Sequence, residues 1–298
     1  MTQLGEVAAL GTAICWTITS SSFQSAGRRV GSLPVNLIRL VLALLPLSLY
    51  TWVVRGAALP LDASGATWGW LALSGVIGFS IGDLFLFQGF VLVGARISML
   101  IMMSLTPPVA AVIGLLFLGE HLSALDWLAM AITIAGVAWV VLERQPNDTD
   151  RSRSERRKGI FLGLGATLGQ AIGLILSKHG MGDYDPFAAT QIRILAGVAG
   201  FVLLFFPLRA WPRVRAALTN RPAMARTSLG AFFGPFLGVS LSLVAIQNTA
   251  TGVAATIFSL VPVLLIIPAV VLFKERVTLR AVLGACVAVG GVALLFLQ

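Results

Sequence analysis

Long, nearly uncharged apolar stretches joined by short polar connections fill almost the whole sequence, and they dictate the solvent in which this chain folds. A helix needs about 20 predominantly apolar residues to cross a hydrocarbon core about 30 Å thick. Only 11% of the residues are charged and 57% are hydrophobic, whereas a soluble domain carries roughly 25% charged residues. The apolar residues come as continuous runs, not amphipathic stripes, so lipid is the expected surroundings. Ten spans are predicted, over residues 4–24, 34–54, 67–91, 95–118, 124–142, 159–178, 187–207, 227–248, 251–273 and 279–297. The expected fold class is all-α and integral to the membrane. Trp52, Trp68, Trp127 and Trp139 lie near span ends, where an indole suits the headgroup region. The two longer connections, Arg144–Lys158 and Arg209–Arg226, are polar and Arg-rich loops.

A displacement of 154 residues lays spans one and two on spans six and seven, matching Gly5 with Gly159, Gly11 with Gly165 and Ile38-Arg39 with Ile192-Arg193. A displacement of 155 lays spans four and five on nine and ten. Ser104-Leu105-Thr106-Pro107 then meets Ser259-Leu260-Val261-Pro262, and Glu120 meets Glu275. Matched Arg, Pro and Glu at fixed spacing are hard to obtain by chance in apolar chains. Residues 1–142 and 159–298 are therefore expected to be two copies of one five-helix unit, with 143–158 as a polar linker. An odd helix count makes the second copy enter from the opposite side. Such inverted repeats are a recurrent device of secondary transporters, with the site near the midplane.

The net charge of +9 does not point to nucleic acid, because no basic-aromatic surface pattern accompanies it. Membrane proteins collect Lys and Arg in cytoplasmic loops. Odd-numbered connections hold 17 of the 21 Lys and Arg, even-numbered ones only Arg55 and Lys178. That bias predicts cytoplasmic odd loops and external termini. Cys15 and Cys286 fall inside apolar runs and read as small buried hydrophobes. Met1–Glu6 lacks the basic stretch of a cleavable leader.

Cys15-Trp16-Thr17 in the first span, Arg39 early in the second, Pro107 in the fourth and Gly119-Glu120 at its end resemble the EamA family of the drug/metabolite transporter superfamily. Pro262 and Glu275 repeat the last two in the second half. Within that superfamily the chain is most similar to the YddG-type exporters of amino acids. The resemblance implies a basket of helices around a central cavity lined by spans one, three, four, six, eight and nine. It also implies cytoplasmic termini, against the charge count. Gln170 replaces the Trp expected in the second half.

Asp83 is the acidic residue set well inside a span, and an intramembrane acid is a functional candidate by default. It could meet a substrate ammonium or a proton, or bond a neighbouring helix. The paired Arg39 and Arg193 point to a shared structural task, and Glu120 and Glu275 to loop pairs or gate contacts with Lys274, Arg276 or His121. Pro107-Pro108 and Pro262 remove backbone donors mid-span, and broken helices commonly line transporter sites. Met103, Ser104, Thr106, Phe258 and Ser259 are cavity candidates on that ground. Trp16, Ser20 and Phe23 share a face of span one, and Phe79 precedes Asp83 by one helical turn. With Gln170 they complete the candidate cavity. The glycines Gly75, Gly78 and Gly82, and Gly159, Gly163 and Gly165, are expected at close helix contacts.

An intramembrane aspartyl protease needs a second buried Asp to share a proton, and Asp185 falls in a loop. His121 and His179 lie at span ends, which disfavours Ser-His and zinc chemistry. A phosphate-sugar exchanger would carry mid-depth cations in span nine, and a small multidrug antiporter a Glu in span one; neither is present. A near-neutral, amphipathic pocket suits a neutral or aromatic amino acid. The expected function is alternating-access transport of such metabolites by a multi-pass protein of a bacterial-type inner membrane, outward by resemblance. The alternatives are another metabolite or multidrug carrier of the same superfamily and, in a different class, an intramembrane enzyme. The expected partners are a small-molecule substrate and the lipid bilayer, with proton coupling open and a monomer sufficient; no cofactor, metal or nucleic acid is implied.

Overall fold

In a computed structural model the chain is all-helical, with residues 3–93, 95–142, 153–266 and 279–295 described. Helix α1 spans Leu4–Val30 and α2 Ser32–Arg55. Helix α3 spans Gly65–Leu92, with Val76–Gly82 wound as a π-helix. Helices α4 (Ala95–Leu118) and α5 (Ala124–Leu142) complete the first half. The second half holds α6 (Arg153–Met181), α7 (Pro186–Phe205) and a short α8 (Trp211–Thr219). Helix α9 spans Arg221–Asn248 with a π-helical stretch at Phe232–Gly238. Helices α10 (Thr251–Phe258), α11 (Val261–Leu264) and α12 (Leu279–Leu295) follow.

Local chemistry sets several starts. The Asp185 carboxylate accepts from the Ala188 N–H at 2.8 Å, with Pro186 in the first turn of α7. Asn220 does the same for Ala223 ahead of α9, at 3.1 Å, and Ser64 for Thr67 ahead of α3, also at 3.1 Å. Each cap satisfies a backbone donor that the helix itself leaves open.

Six helices are long and apolar enough to cross a membrane: Ser32–Arg55, Gly65–Leu92, Ile101–Leu118, Arg157–Met181, Pro186–Phe205 and Arg221–Asn248. Ala124–Trp139, Thr251–Leu264 and Val282–Leu295 are shorter apolar helices. The all-helical architecture fits an integral membrane protein, but not as ten uniform spans. The expected loop Arg209–Arg226 is largely helical. Arg209, at φ 46°, turns the chain into α8, and α9 already begins at Arg221. Residues 153–158 of the expected linker belong to α6. The expected ninth span is interrupted at Ser259-Leu260, between α10 and α11, whereas α4 stays one helix through Pro107 and Pro108. Glu275, Lys274, Arg276 and Arg144 lie outside the described residues.

The two π-helical stretches stand 156 residues apart (232 − 76), pairing Gly78 with Gly234 and Gly82 with Gly238. They extend the internal repeat into the third span. The halves interlock instead of sitting side by side. A Cβ on Gly136 of α5 would strike the Ala288 backbone of α12, and one on Gly163 of α6 would come within 2.6 Å of Ile101 of α4. Helices α1 with α9 and α3 with α6 are further partners across the halves.

Candidate functional site

Two helix crossings, equivalent under the repeat, have very different linings. In the crossing of α3 and α6, Gly82 and Gly169 meet backbone to backbone. A Cβ on Gly82 would lie 3.1 Å from the Gly169 Cα. One turn along, Gly78 faces Gly173 with 3.4 Å from a built Cβ to the neighbouring Cα, and beyond that the Ser74 and Ser177 hydroxyls bond at 2.7 Å. Small residues of this kind let membrane helices approach closely. In the crossing of α1 and α9 the matching Gly234 and Gly238 face Thr19 and Trp16, and Gly230, at the position of Ser74, faces Phe23. A Cβ on Gly238 would sit 2.8 Å from the Trp16 indole. Thr12 donates to the Gly238 carbonyl at 3.3 Å and Thr19 to the Gly230 carbonyl at 3.4 Å. One crossing is thus closed on backbone and the other filled by aromatics.

Trp16 also meets Phe258, at the last residue of α10, with ring centroids 5.1 Å apart and planes tilted by 57°. This contact joins the first helix of one half to the interrupted helix of the other. Met103 is buried in the same apolar cluster. The polar candidates are occupied locally: Ser20 donates to the Trp16 carbonyl at 2.6 Å, Thr106 to the Met102 carbonyl at 2.6 Å, and Ser259 to the Thr256 carbonyl at 2.6 Å. The buried Ser104 hydroxyl meets no partner among the described residues. Gln170 is half-buried, one residue past the Gly169 contact.

Phe79 and Asp83 belong to a second group. Asp83, the first residue after the π-helical stretch of α3, is ion-paired with Arg39 of α2. The Arg39 Nε donates to the Asn36 side-chain oxygen at 3.1 Å, and the Asn36 amide donates to the Asp83 carbonyl at 3.2 Å. The Arg39 guanidinium also lies over Phe87 at 4.7 Å and Phe23 at 5.5 Å. Arg193, its repeat mate on α7, stacks on Phe79 at 4.9 Å; Phe79 thus touches both guanidinium groups. Both arginines are buried.

Glu120 forms a third group at the end of the molecule that carries the start of α1. Gly119, at φ +65°, reverses the chain after α4 and turns the Glu120 carboxylate back into the bundle; such a backbone favours glycine. The carboxylate accepts from the Thr251 N–H at 2.9 Å and from its hydroxyl at 2.7 Å, so it caps α10. Its charge partner is Lys178 at the end of α6, at 2.6 Å, rather than the adjacent His121. Lys178 also donates to the Thr249 carbonyl at 2.7 Å, and the Thr249 hydroxyl donates to Glu6 at 3.1 Å. This latch draws together four elements from both halves. Lys178 and Thr251 escaped the sequence reading. A lone even-loop lysine against a glutamate at the matching end of another span was the available signal.

No curated protein matches the sequence significantly. A solved structure titled "Crystal structure of protein" has a similar fold, with a TM-score of 0.77 at 15% identity, over 98% of this chain and 96% of that one. The pattern of the EamA-like transporter family matches twice, over residues 3–142 and 157–297. With two copies of its unit, interlocked helices and long apolar spans, the chain belongs to the EamA-like transporter family, within the drug/metabolite transporter superfamily.

Proposed function

We propose that this transporter moves neutral or aromatic amino acids, or metabolites of similar amphipathic character, out across a bacterial-type inner membrane by alternating access. The observation that carries the reading is the Trp16–Phe258 contact, an aromatic pair held between the two halves where α10 is interrupted. Aromatic faces recognise apolar and aromatic side chains, and backbone groups freed at a helix break can meet the polar ends of a zwitterion. The resemblance to YddG-type exporters supports the same substrate class and direction.

The unequal crossings supply the alternation. The glycine-lined α3–α6 contact parts while the aromatic-filled α1–α9 contact holds the other side closed. With the Arg-rich connections on the cytoplasmic side, the Glu120–Lys178 latch closes the outer end. The bond to Arg39 favours Asp83 as a charge-holding residue over one that contacts substrate.

Counterflow in proteoliposomes with a panel of labelled amino acids tests the reading. Uptake of aromatic or neutral members by a preloaded vesicle is expected. A folded protein that exchanges none of them would overturn it. Asp83→Asn addresses coupling separately: gradient-driven flux that survives this change excludes Asp83 as the proton carrier.

A further inference from the structure

Arg39, Arg193 and Asp83 are gathered at one place in the bundle, and their charges do not balance. Both arginines are 4% exposed, and one carboxylate stands against them. Asp83 is committed to Arg39 by a direct ion pair. The Nε and Nη1 of Arg193 are buried and meet no acceptor among the described residues. A buried charge without a partner is strongly destabilising, so a group of opposite charge is wanted there.

The repeat accounts for the gap. Asp83 follows the π-helical stretch of α3, next to Gly82; the matching residue after Gly238 in α9 is Val239, buried and apolar. The second half therefore keeps the arginine and lacks its carboxylate. The side of Arg193 is flanked by two glycines: Cβ atoms built on Gly78 and Gly173 would lie 3.3 and 3.6 Å from its Nη2. The Phe79 ring forms a wall at 4.9 Å.

We propose that Arg193, backed by Arg39 and walled by Phe79, binds one small monovalent anion, a halide or a carboxylate group. The anion takes the place of the acid that the second repeat lacks, and it accepts from one of the two open donors of Arg193, Nε or Nη1. The carboxylate can come from a substrate or the halide from the medium; the site reads the charge and size they share. It stands independently of which metabolite is carried, because its test is binding to the resting protein and not flux.

The test is thermal unfolding of the purified full chain in detergent, with the sodium salt of a bulky sulfonate buffer replaced at constant ionic strength by chloride or acetate, or supplemented with a zwitterionic amino acid. A saturable rise in apparent Tm of about 2–4 °C is expected at roughly five times the Kd. Arg193→Gln should abolish it. Asp83→Asn, which leaves two guanidinium groups without a built-in carboxylate, should tighten the anion Kd about tenfold or more; this variant decides the matter if Arg193→Gln does not fold. A response to chloride and acetate alike identifies an anion from the medium as sufficient, and a response to carboxylates alone identifies the substrate group. A wild-type Tm indifferent to all of these anions overturns the proposal, as does an unchanged response in Arg193→Gln or an unchanged Kd in Asp83→Asn.

Discussion

Alanine at Gly169 and alanine at Gly173 differ by one helical turn on the same face of α6, yet they should act in opposite directions. A methyl group at Gly169 would lie 3.1 Å from the Gly82 nitrogen and closer still to its Cα. Both are backbone atoms, which no rotamer change can clear, so α3 and α6 must separate. Separation also strains the Ser74–Ser177 bond of 2.7 Å and the 2.7 Å bond from Ser74 to the Gly173 carbonyl. Overpacking of this kind costs about 1–3 kcal/mol. At Gly173 the nearest atom to a new Cβ is 3.4 Å away, an ordinary contact. Both variants gain about 1 kcal/mol of helix propensity over glycine, so that term cancels between them. Gly169→Ala should thus be less stable than Gly173→Ala by about 2 kcal/mol, or about 4–8 °C in apparent Tm. Thermal scanning of the two variants in one detergent measures the gap. Equal Tm values would show that α3 and α6 do not touch backbone to backbone at Gly82.

The latch is open to a kinetic test. In a background without Cys15 and Cys286, Glu120→Gln should speed alkylation of Val253→Cys about tenfold, as expected for loss of a charged contact worth about 1.4 kcal/mol; an unchanged rate argues against a closed end held by Glu120. For the buried ion pair, Arg39→Gln and Asp83→Asn together should cost less than the sum of the two by about 1–3 kcal/mol, read from denaturation in detergent, and strict additivity would disprove the contact. Trp16→Ala should raise the KM for an aromatic substrate in counterflow about fivefold, matching about 1 kcal/mol for an aromatic contact, with Trp16→Phe recovering most of it. Equal KM values for the wild type and both variants would remove Trp16 from the substrate path.

Much of this molecule can be read from residue order, and the parts that cannot share a physical cause. Apolar run length locates helices because the requirement is local: α4 and α5 begin and end where the runs do. The matched prolines point to the right segment in the second half, where Pro262 follows the break at Ser259-Leu260. The helix at Trp211–Thr219 is hidden because its arginines and Pro212 have the composition of a loop, while Val214 and Ala217 pack inward one turn apart. The π-helical stretches leave no mark beyond Gly78, Gly82 and their mates, since one extra residue in a turn changes no hydropathy. Pairings such as Glu120 with Lys178, or Arg39 with Asp83, depend on how distant helices meet. Sequence shows that each charge needs a partner and is silent on which one.

The interlocking of the halves has a consequence for how the protein is made. The glycine faces of α3 and the aromatic face of α1 find their partners, α6 and α9, only in the second half of the chain. At about 5–20 residues per second, the first five helices wait roughly 5–20 s in the bilayer before those partners are complete. During that interval the Gly82 face, the Trp16 face and the Glu120 carboxylate are all unsatisfied, and another nascent first half offers the nearest imperfect match. Assembly therefore turns on timing as much as on affinity. Two separately expressed halves, delivered to the membrane together, have what they need to form one working molecule.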